Sequence, residues 1–236
     1  MALRTPEEAS KGRPDRVDKE SLSLFTGMKN TDELLKLLDL YKKRKVAIGS
    51  RLQDFSRVPS SGYFYELVYC LMTPQSSAEH AEKTVFALQQ QRFAESDFNP
   101  EDILRTREHY IRFHRTKAKH LIKAKEEFPS ILKAVTNGLS PVDARSWLIA
   151  NVKGLGFKEA THFLRNIGKN DGLAILDRHI LRNLKRFGVI RSIPSSLTRK
   201  KYLSIEKKFA AFAQNVNIPV DELDLLFWSM ETGEIR

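Results

Sequence analysis

The stretch VKGLGFK, residues 152–158, decides the fold of this chain and most of its chemistry. Two glycines one residue apart let the backbone turn tightly and bring its N–H groups close to a phosphate. Apolar helical patterns precede and follow the turn, so residues 142–168 are predicted to form a helix–hairpin–helix unit with its hairpin at 152–157. A helix N-terminus behind the hairpin adds partial positive charge to a phosphate site, although two glycines alone are equally consistent with a plain interhelical turn.

A lysine follows the turn and an aspartate comes 19 residues later, at Lys158 and Asp177. A helix N-terminus and neighbouring cations favour the uncharged form of a lysine side chain. An uncharged amine can attack an electrophilic sugar carbon and form a Schiff base. Asp177 precedes an amphipathic helix, where it can act as the N-cap, stabilise an oxocarbenium-like sugar or assist proton transfer. A solvated lysine and a simple cap remain alternatives for each residue alone, and only their pairing favours catalysis.

The remaining sequence is also patterned for helices, with little strand-like alternation, so the predicted fold is all-α. A helix is expected over residues 62–73, ended by Thr73-Pro74, and another begins at Ser76 or Ser77. A basic helix is expected over residues 116–128, broken at Pro129. Two more helices are predicted at residues 198–215 and 219–230.

The composition is that of a soluble globular protein, with 41% apolar and 29% charged residues in 236. This length suits one large domain or two packed subdomains, which we place at residues 21–236 behind a polar, disordered segment 1–20. No run of eighteen apolar residues occurs, so no membrane span or membrane partner is expected. The single cysteine, Cys70, excludes an intrachain disulfide and a four-cysteine cluster, and it is predicted to be a buried, inert thiol. We therefore expect an intracellular protein, in the cytoplasm or nucleoid.

The net charge of +11 is unevenly spread along the chain. Residues 105–125 carry eight Lys or Arg against one acidic residue, and residues 151–191 carry nine against three. Residues 61–104 have the opposite balance, with two basic and seven acidic residues. Two positive segments of this kind are typical of a face that binds a polyanion, although charge runs also serve merely to solvate helix surfaces.

The motif G-L-G-F-K, followed after 19 residues by the aspartate of L-D-R-H-I, resembles the helix–hairpin–helix DNA glycosylase superfamily. The chain is most similar to its second, archaeal-type subfamily of 8-oxoguanine DNA glycosylase/AP lyases. The resemblance spans about residues 60–236 and includes 113–119, 160–168, 177–184 and 225–234.

This resemblance implies two packed helical subdomains with the active-site cleft between them. It implies that Lys158 is the nucleophile and Asp177 the essential carboxylate of a bifunctional enzyme. Such an enzyme excises 8-oxoguanine from double-stranded DNA and cuts the strand by β-elimination through a lysine Schiff base. No metal or redox cofactor is implied, and a monomer is expected.

The resemblance also indicates how the substrate is held. Trp228 is expected to stack on the flipped base, Met72 to cover its opposite face, and the terminal carboxylate of Arg236 to lie near its edge. The family usually ends in lysine, so Arg236 is a departure that keeps the charge. Gln75 is expected near the extrahelical base, although the Pro-Gln pair is less typical of the subfamily. Residues predicted to contact the DNA backbone are Lys153, Gly154, Gly156, Arg115 and Lys117.

Two other functions fit parts of the sequence. A non-enzymatic helix–hairpin–helix DNA-binding module needs neither the amine of Lys158 nor a carboxylate at Asp177. A glycosylase of the same superfamily with a different lesion, such as an oxidised pyrimidine or a mispaired adenine, keeps both residues. The tail from Trp228 to Arg236 favours 8-oxoguanine through the resemblance.

Overall fold

The computed structural model describes residues 31–235. Regular structure within this range is entirely helical, with ten α-helices and two short 3₁₀ turns, which confirms the predicted all-α fold. The helices are α1 (Thr31–Ser56), α2 (Tyr63–Met72), α3 (Ala78–Gln90), α4 (Glu101–Leu104), α5 (His114–Thr136), α6 (Pro141–Asn151), α7 (Phe157–Asn166), α8 (Arg178–Arg186), α9 (Arg199–Asn215) and α10 (Val220–Thr232). The expectations for residues 1–20 and for Arg236 lie outside the described residues.

Two hydrophobic cores divide the helices into two subdomains. The first core is built by α2 to α7 and ends at Leu173. The second is built by α1, the segment 174–176 and helices α8 to α10. After crossing to the first core between α1 and α2, the chain therefore returns to the second core between Leu173 and Ala174, three residues before Asp177.

Several helix ends follow from local sequence signals. Helix α2 ends at Met72, before Thr73-Pro74, and the Ser77 side chain caps α3 by accepting from the His80 N–H. The two C-terminal helices lie within one or two residues of their predicted positions.

The predicted break at Pro129 is wrong, because α5 passes through this residue and continues to Thr136. Proline inside a helix removes one backbone hydrogen bond and costs about 3 kcal/mol. The turns beyond it bury Ile131 and Val135 in the first core. This burial offsets the local penalty, at about 1.5–3 kcal/mol for each large apolar side chain.

A buried ion pair joins the two subdomains. Both terminal nitrogens of Arg145 on α6 donate to the Glu206 carboxylate on α9, at 2.6 and 2.9 Å. Glu206 Oε1 also accepts from the Ala174 N–H, and Arg145 donates to the Thr161 hydroxyl on α7. One guanidinium thus ties α6, α7 and α9 together where the two cores meet.

Cys70 is fully buried in the first core, as predicted, and burial raises the pKa of its thiol well above the usual value. Within residues 31–235, no helix combines the length and the apolar character needed to cross a lipid bilayer.

Candidate active site

A cavity of about 570 Å³ lies where the two subdomains meet. Its walls include Tyr69 on α2 and Lys158 on α7, from the first subdomain. Asp177, at the start of α8, and Trp228 on α10 come from the second. The predicted nucleophile and the predicted carboxylate therefore reach one cavity from different cores.

The hairpin between α6 and α7 requires glycine at position 154. Gly154 has φ +97°, and a Cβ there would lie 2.5 Å from His120 Nδ1. Gly156 is extended, with φ −99° and ψ −172°, and its N–H donates to Glu159 Oε2 at 3.2 Å. Gly154 and Lys153 are exposed for a phosphate contact, whereas a phosphate at the Gly156 N–H would have to displace Glu159.

Lys158 is the second residue of α7, at the helix N-terminus where the sequence placed it. Its Nζ lies 3.2 Å from Glu159 Oε1, and about a quarter of the side chain is exposed. The Glu159 carboxylate thus contacts both the Gly156 N–H of the hairpin and the Lys158 amine. Sequence reasoning missed this residue, although a glutamate three positions after a helix start is a known capping signal.

Asp177 is the N-cap of α8, and its Oδ1 accepts from the Ile180 N–H at 2.8 Å. The capping role is therefore confirmed, in a residue that also lines the cavity. Helix α9 anchors the segment 174–176, which leads to Asp177. The Tyr202 hydroxyl on α9 donates to Ala174 O and accepts from the Leu176 N–H. The position of this carboxylate thus depends on the second core.

Trp228 and Gln75 also line the cavity. Trp228 is half-buried, and the His179 ring meets its indole edge-on, with 6.0 Å between the ring centroids. Gln75 is exposed and has φ +56°, a left-handed conformation that is uncommon for a side chain of this kind. Both residues are placed where they could meet a flipped nucleotide.

The prediction for Met72 is wrong. Its side chain is fully buried in the first core and does not line the cavity. Position 72 lies in the last turn of α2, on the side that packs inward rather than toward the cleft.

The prediction for Lys117 is wrong for a related reason. This lysine is 6% exposed, and its ammonium donates to Met72 O and Pro74 O, both at 2.7 Å. Burial, followed by the positive charge of Lys158, lowers the pKa of Lys117 to about 8. The ammonium fixes the segment that carries Gln75 instead of meeting a phosphate.

Arg115 lies on the surface, with Nε 3.4 Å from Glu101 Oε1. It remains available to a phosphate because most of its side chain is exposed.

The cavity wall contains further polar side chains that sequence reasoning missed. Asp224 on α10 is buried, and its Oδ2 lies 3.5 Å from an Arg165 terminal nitrogen. Burial raises the pKa of this carboxyl to about 8, and Asp177 and Asp221 add to the rise while Arg165 opposes it. An aspartate one helical turn before Trp228, inside an apolar run, was the available signal.

His162 also lines the cavity and was not predicted there. Its ring packs edge-on against Tyr69, with centroids 5.6 Å apart. Burial, followed by the charges of Arg165 and Lys158, lowers the pKa of His162 well below its usual value. The imidazole is therefore neutral at physiological pH.

Phe113 is an exposed aromatic residue with φ +60°, at the start of α5. The Arg112 guanidinium lies 5.1 Å from its ring centroid, and the Arg112 N–H donates to Ser76 Oγ in the cavity wall. A rigid apolar ring therefore stands in solvent beside the cleft. No sequence signal marks this conformation, because phenylalanine disfavours positive φ.

The hairpin, the lysine and the aspartate define a helix–hairpin–helix protein with a lysine amine and a carboxylate in a cavity between its subdomains. The sequence profile of the 8-oxoguanine DNA glycosylase family matches residues 48–218. The chain belongs to this 8-oxoguanine DNA glycosylase family.

Known proteins resemble the chain over most of its length. The 8-oxoguanine DNA glycosylase/AP lyase of Fusobacterium nucleatum is 36% identical over 217 residues, which cover 88% of this chain and 99% of the relative. Among solved structures, the Methanocaldococcus jannaschii 8-oxoguanine glycosylase/lyase in complex with a DNA 15mer containing 8-oxoguanine has a TM-score of 0.77. It is 32% identical, and the match covers 86% of this chain and 98% of that one. The 8-oxoguanine DNA glycosylase of Thermotoga maritima has a TM-score of 0.76 at 29% identity, covering 86% and 98% of the two chains.

Proposed function

We propose that this protein excises 8-oxoguanine from double-stranded DNA and then cleaves the strand at the resulting abasic site. The observation that carries this proposal is the convergence of Lys158, Asp177 and Trp228 on one cavity beside the hairpin. A flipped nucleotide needs a pocket, a stacking surface and groups that act on its sugar, and these side chains supply all three. The family match and the names of the relatives point to the same lesion.

In the proposed reaction, the uncharged Lys158 amine attacks C1′ of the flipped nucleotide. The bond from C1′ to the base breaks, and its electron pair leaves with the base. The ionised Asp177 carboxylate stabilises the positive charge that develops on the sugar. The sugar ring then opens, and loss of a proton from nitrogen leaves a Schiff base at C1′.

Strand cleavage follows from the Schiff base. A proton leaves C2′, the bond between C3′ and its oxygen breaks, and the 3′ phosphate departs. Hydrolysis of the imine regenerates the lysine. The amine thus serves both steps.

The exposed ring of Phe113 is proposed to fill the stack that the flipped base leaves. Apolar side chains that wedge between bases keep a duplex bent and unstacked. Phe113→Ala is expected to weaken binding to lesion-containing duplex roughly tenfold, within the range known for base–aromatic stacking. Fluorescence anisotropy on single-stranded DNA of the same sequence is the control, where the loss should be absent.

We propose that the protein acts as a monomer, since Lys158, Asp177 and Trp228 of one chain already converge on the cavity. We propose that the protein works on DNA inside the cell, in the cytoplasm or nucleoid.

Borohydride trapping tests the proposal directly. A duplex with one 8-oxoguanine opposite cytosine, and a second duplex with an abasic site, are each incubated with native protein or Lys158→Gln. We expect a covalent adduct with both duplexes for the native protein and with neither for the variant. An adduct on the abasic duplex alone would assign a different lesion, and no native adduct on either would favour a DNA-binding module.

A further inference from the structure

Two exposed side chains beside the cavity are carried by strained backbone. Gln75 has φ +56° and Phe113 has φ +60°. Residues with side chains seldom adopt this left-handed conformation, and strain of this kind persists only where the surrounding structure enforces it. The contacts that hold these two backbones in place are therefore candidates for a functional role.

Gln75 is the third residue of a tight turn that links α2 to α3. The Ser76 N–H closes this turn by donating to Thr73 O at 3.1 Å. Proline at the second position, here Pro74, and a positive φ at the third are typical of a type II turn, which prefers glycine at that third position. Glycine would relieve the strain but would remove the side chain. The turn instead places a long polar side chain in the cavity wall.

The segment 110–113, which ends at Phe113, is held against the start of α3. The His80 ring nitrogen Nδ1 lies 3.1 Å from Tyr110 O, and the Arg112 N–H donates to Ser76 Oγ at 3.1 Å. The Arg112 guanidinium lies 5.1 Å from the Phe113 ring centroid. Ser76 therefore directly follows one strained residue and binds the residue directly before the other.

The Ser76 hydroxyl oxygen also contacts a buried cation. The Lys117 ammonium lies 3.4 Å from this oxygen, and it donates to Met72 O and Pro74 O at 2.7 Å. A hydroxyl oxygen has two acceptor lone pairs, so the Arg112 N–H and the Lys117 ammonium use both. One serine side chain thus joins the Gln75 turn and the Phe113 segment to the same buried ammonium.

We propose that Ser76 is a positioning residue that fixes Gln75 and Phe113 relative to each other, so that both side chains enter the duplex together beside the flipped nucleotide. This inference rests on the proposed function, because it requires a duplex opened at a damaged base. A fixed arrangement leaves less side-chain and loop freedom to be lost on binding, which strengthens the complex.

Two substitutions at Ser76 test the role of its hydroxyl. Ser76→Ala removes the hydroxyl and Ser76→Thr keeps it. Each is combined with Lys158→Gln, which leaves the DNA uncut, and anisotropy measures the affinity for a duplex with one 8-oxoguanine. We expect the alanine variant to bind roughly 3- to 10-fold more weakly than the Lys158→Gln parent, the equivalent of one hydrogen bond, and the threonine variant to stay within about twofold of it. Binding to single-stranded DNA should be unchanged in both.

A double-mutant cycle with Phe113→Ala separates positioning from a general loss of stability. If Ser76 acts through the ring, adding Ser76→Ala to Phe113→Ala should weaken binding by less than about twofold more, because the side chain that it positions is already absent. Ser146→Ala is the matched control. Its exposed hydroxyl on α6 donates to Val142 O within the same helix, and this variant should bind like the parent.

Gln75→Gly provides a second measurement. Glycine removes the side chain and relieves the left-handed strain, so the melting temperature should be at or above that of the parent. Binding to the 8-oxoguanine duplex should nevertheless weaken, by about threefold or more for the loss of a polar contact. Unchanged affinity would overturn the part of the inference that concerns Gln75.

Three further outcomes would overturn the inference while leaving the proposed function intact. Parental affinity in Ser76→Ala would show that the hydroxyl positions neither side chain. Losses that multiply in the double variant would show that Ser76 acts independently of Phe113. Equal losses on duplex and single-stranded DNA would make Ser76 a general structural residue. Absence of a trapped adduct with the native protein, on either borohydride substrate, would overturn the proposed function and this inference together.

Discussion

At the scale of single residues, two positions in the site each meet two structural requirements. Gly154 combines a positive φ with a close approach to His120, so it is constrained by its own backbone and by a neighbour. Asp177 uses one oxygen to cap a helix and lines the cavity as well. The two requirements can be separated at each residue by comparing a substitution with a matched control.

Gly154→Ala is expected to lower the affinity for duplex DNA roughly tenfold. An alanine in this left-handed backbone conformation costs about 1–2 kcal/mol. Its Cβ must also push His120 away, which reshapes the hairpin. Gly138→Ala is the matched control, because Gly138 has φ +76° but nothing within 4 Å of the new Cβ. Anisotropy titrations on an abasic-analogue duplex compare the two, and equal losses would contradict a role for the His120 contact.

Asp177→Asn is expected to slow base excision by roughly 100-fold or more, in the range of lost acid–base or charge stabilisation. Asparagine caps helices about as well as aspartate, so the melting temperature should stay close to the native value. Single-turnover kinetics and thermal unfolding are measured on the same samples. A near-native rate would reduce Asp177 to a helix cap, and Asp143→Asn, at the exposed start of α6, controls for loss of a carboxylate near a helix end.

At the scale of elements, α5 presents different faces to different tasks. Exposed Phe113 and Arg115 lie at its N-terminal end. On its inner face, the Lys117 ammonium donates to the backbone carbonyl of Met72 at the end of α2. The far end crosses Pro129 and buries Ile131 in the first core. One helix thus links the surface proposed to face DNA, the Gln75 segment and the core.

Lys117→Met should loosen the segment from Met72 to Ser76. Methionine fills a similar volume but leaves two buried carbonyl groups without donors, at about 1–3 kcal/mol for an unmet buried polar group. We expect a lower melting temperature and slower 8-oxoguanine excision, with affinity for undamaged duplex nearly unchanged. Lys119→Met, an exposed position on the same helix, should do the reverse by weakening DNA binding alone. Identical behaviour of the two variants would contradict the anchoring role.

At the scale of the whole molecule, the proposed catalytic pair requires the two cores to keep a fixed position relative to each other. Lys158 belongs to the first and Asp177 to the second, and the chain passes between them at residues 173–174. The pair of Arg145 and Glu206 spans this junction and also binds the Ala174 N–H. The geometry of the cavity therefore depends on how the two cores are held together at this junction.

Arg145→Met is expected to lower the free energy of unfolding by about 3–5 kcal/mol, because it leaves the Glu206 carboxylate buried without its partner. Adding Glu206→Gln should recover much of this loss, since the neutral amide can still accept from the Ala174 N–H. Urea denaturation followed by circular dichroism measures both. A double variant less stable than the single one would contradict the electrostatic origin.

The sequence predicted what local signals determine. Residues around the hairpin, Lys158 at a helix start and the Asp177 cap all follow from short-range patterns, and the structure has the hairpin and both helix starts where these patterns put them. The resemblance to a family brought Trp228 and Gln75 into the candidate site, and both line the cavity.

Several of the misses depend on tertiary packing. Whether Lys117 faces solvent or the core depends on how α5 lies against α2, which no local pattern reveals. Met72 and Pro129 were misjudged for the same reason, because burial in the first core decides both. Asp224 escaped notice since its unusual proton affinity arises from burial and from charges distant in sequence.

The buried Cys70 has a practical consequence for chemical labelling. The chain has no other cysteine, and this thiol is both inaccessible and held in its unreactive protonated form. Maleimide reagents should therefore leave the folded native protein unmodified. A single cysteine introduced at an exposed position such as Ser195, in the cavity wall, would then carry a fluorophore or a spin label alone. Distances between such a label and a labelled duplex could follow the two subdomains as they take up a damaged base, with no background from the rest of the molecule.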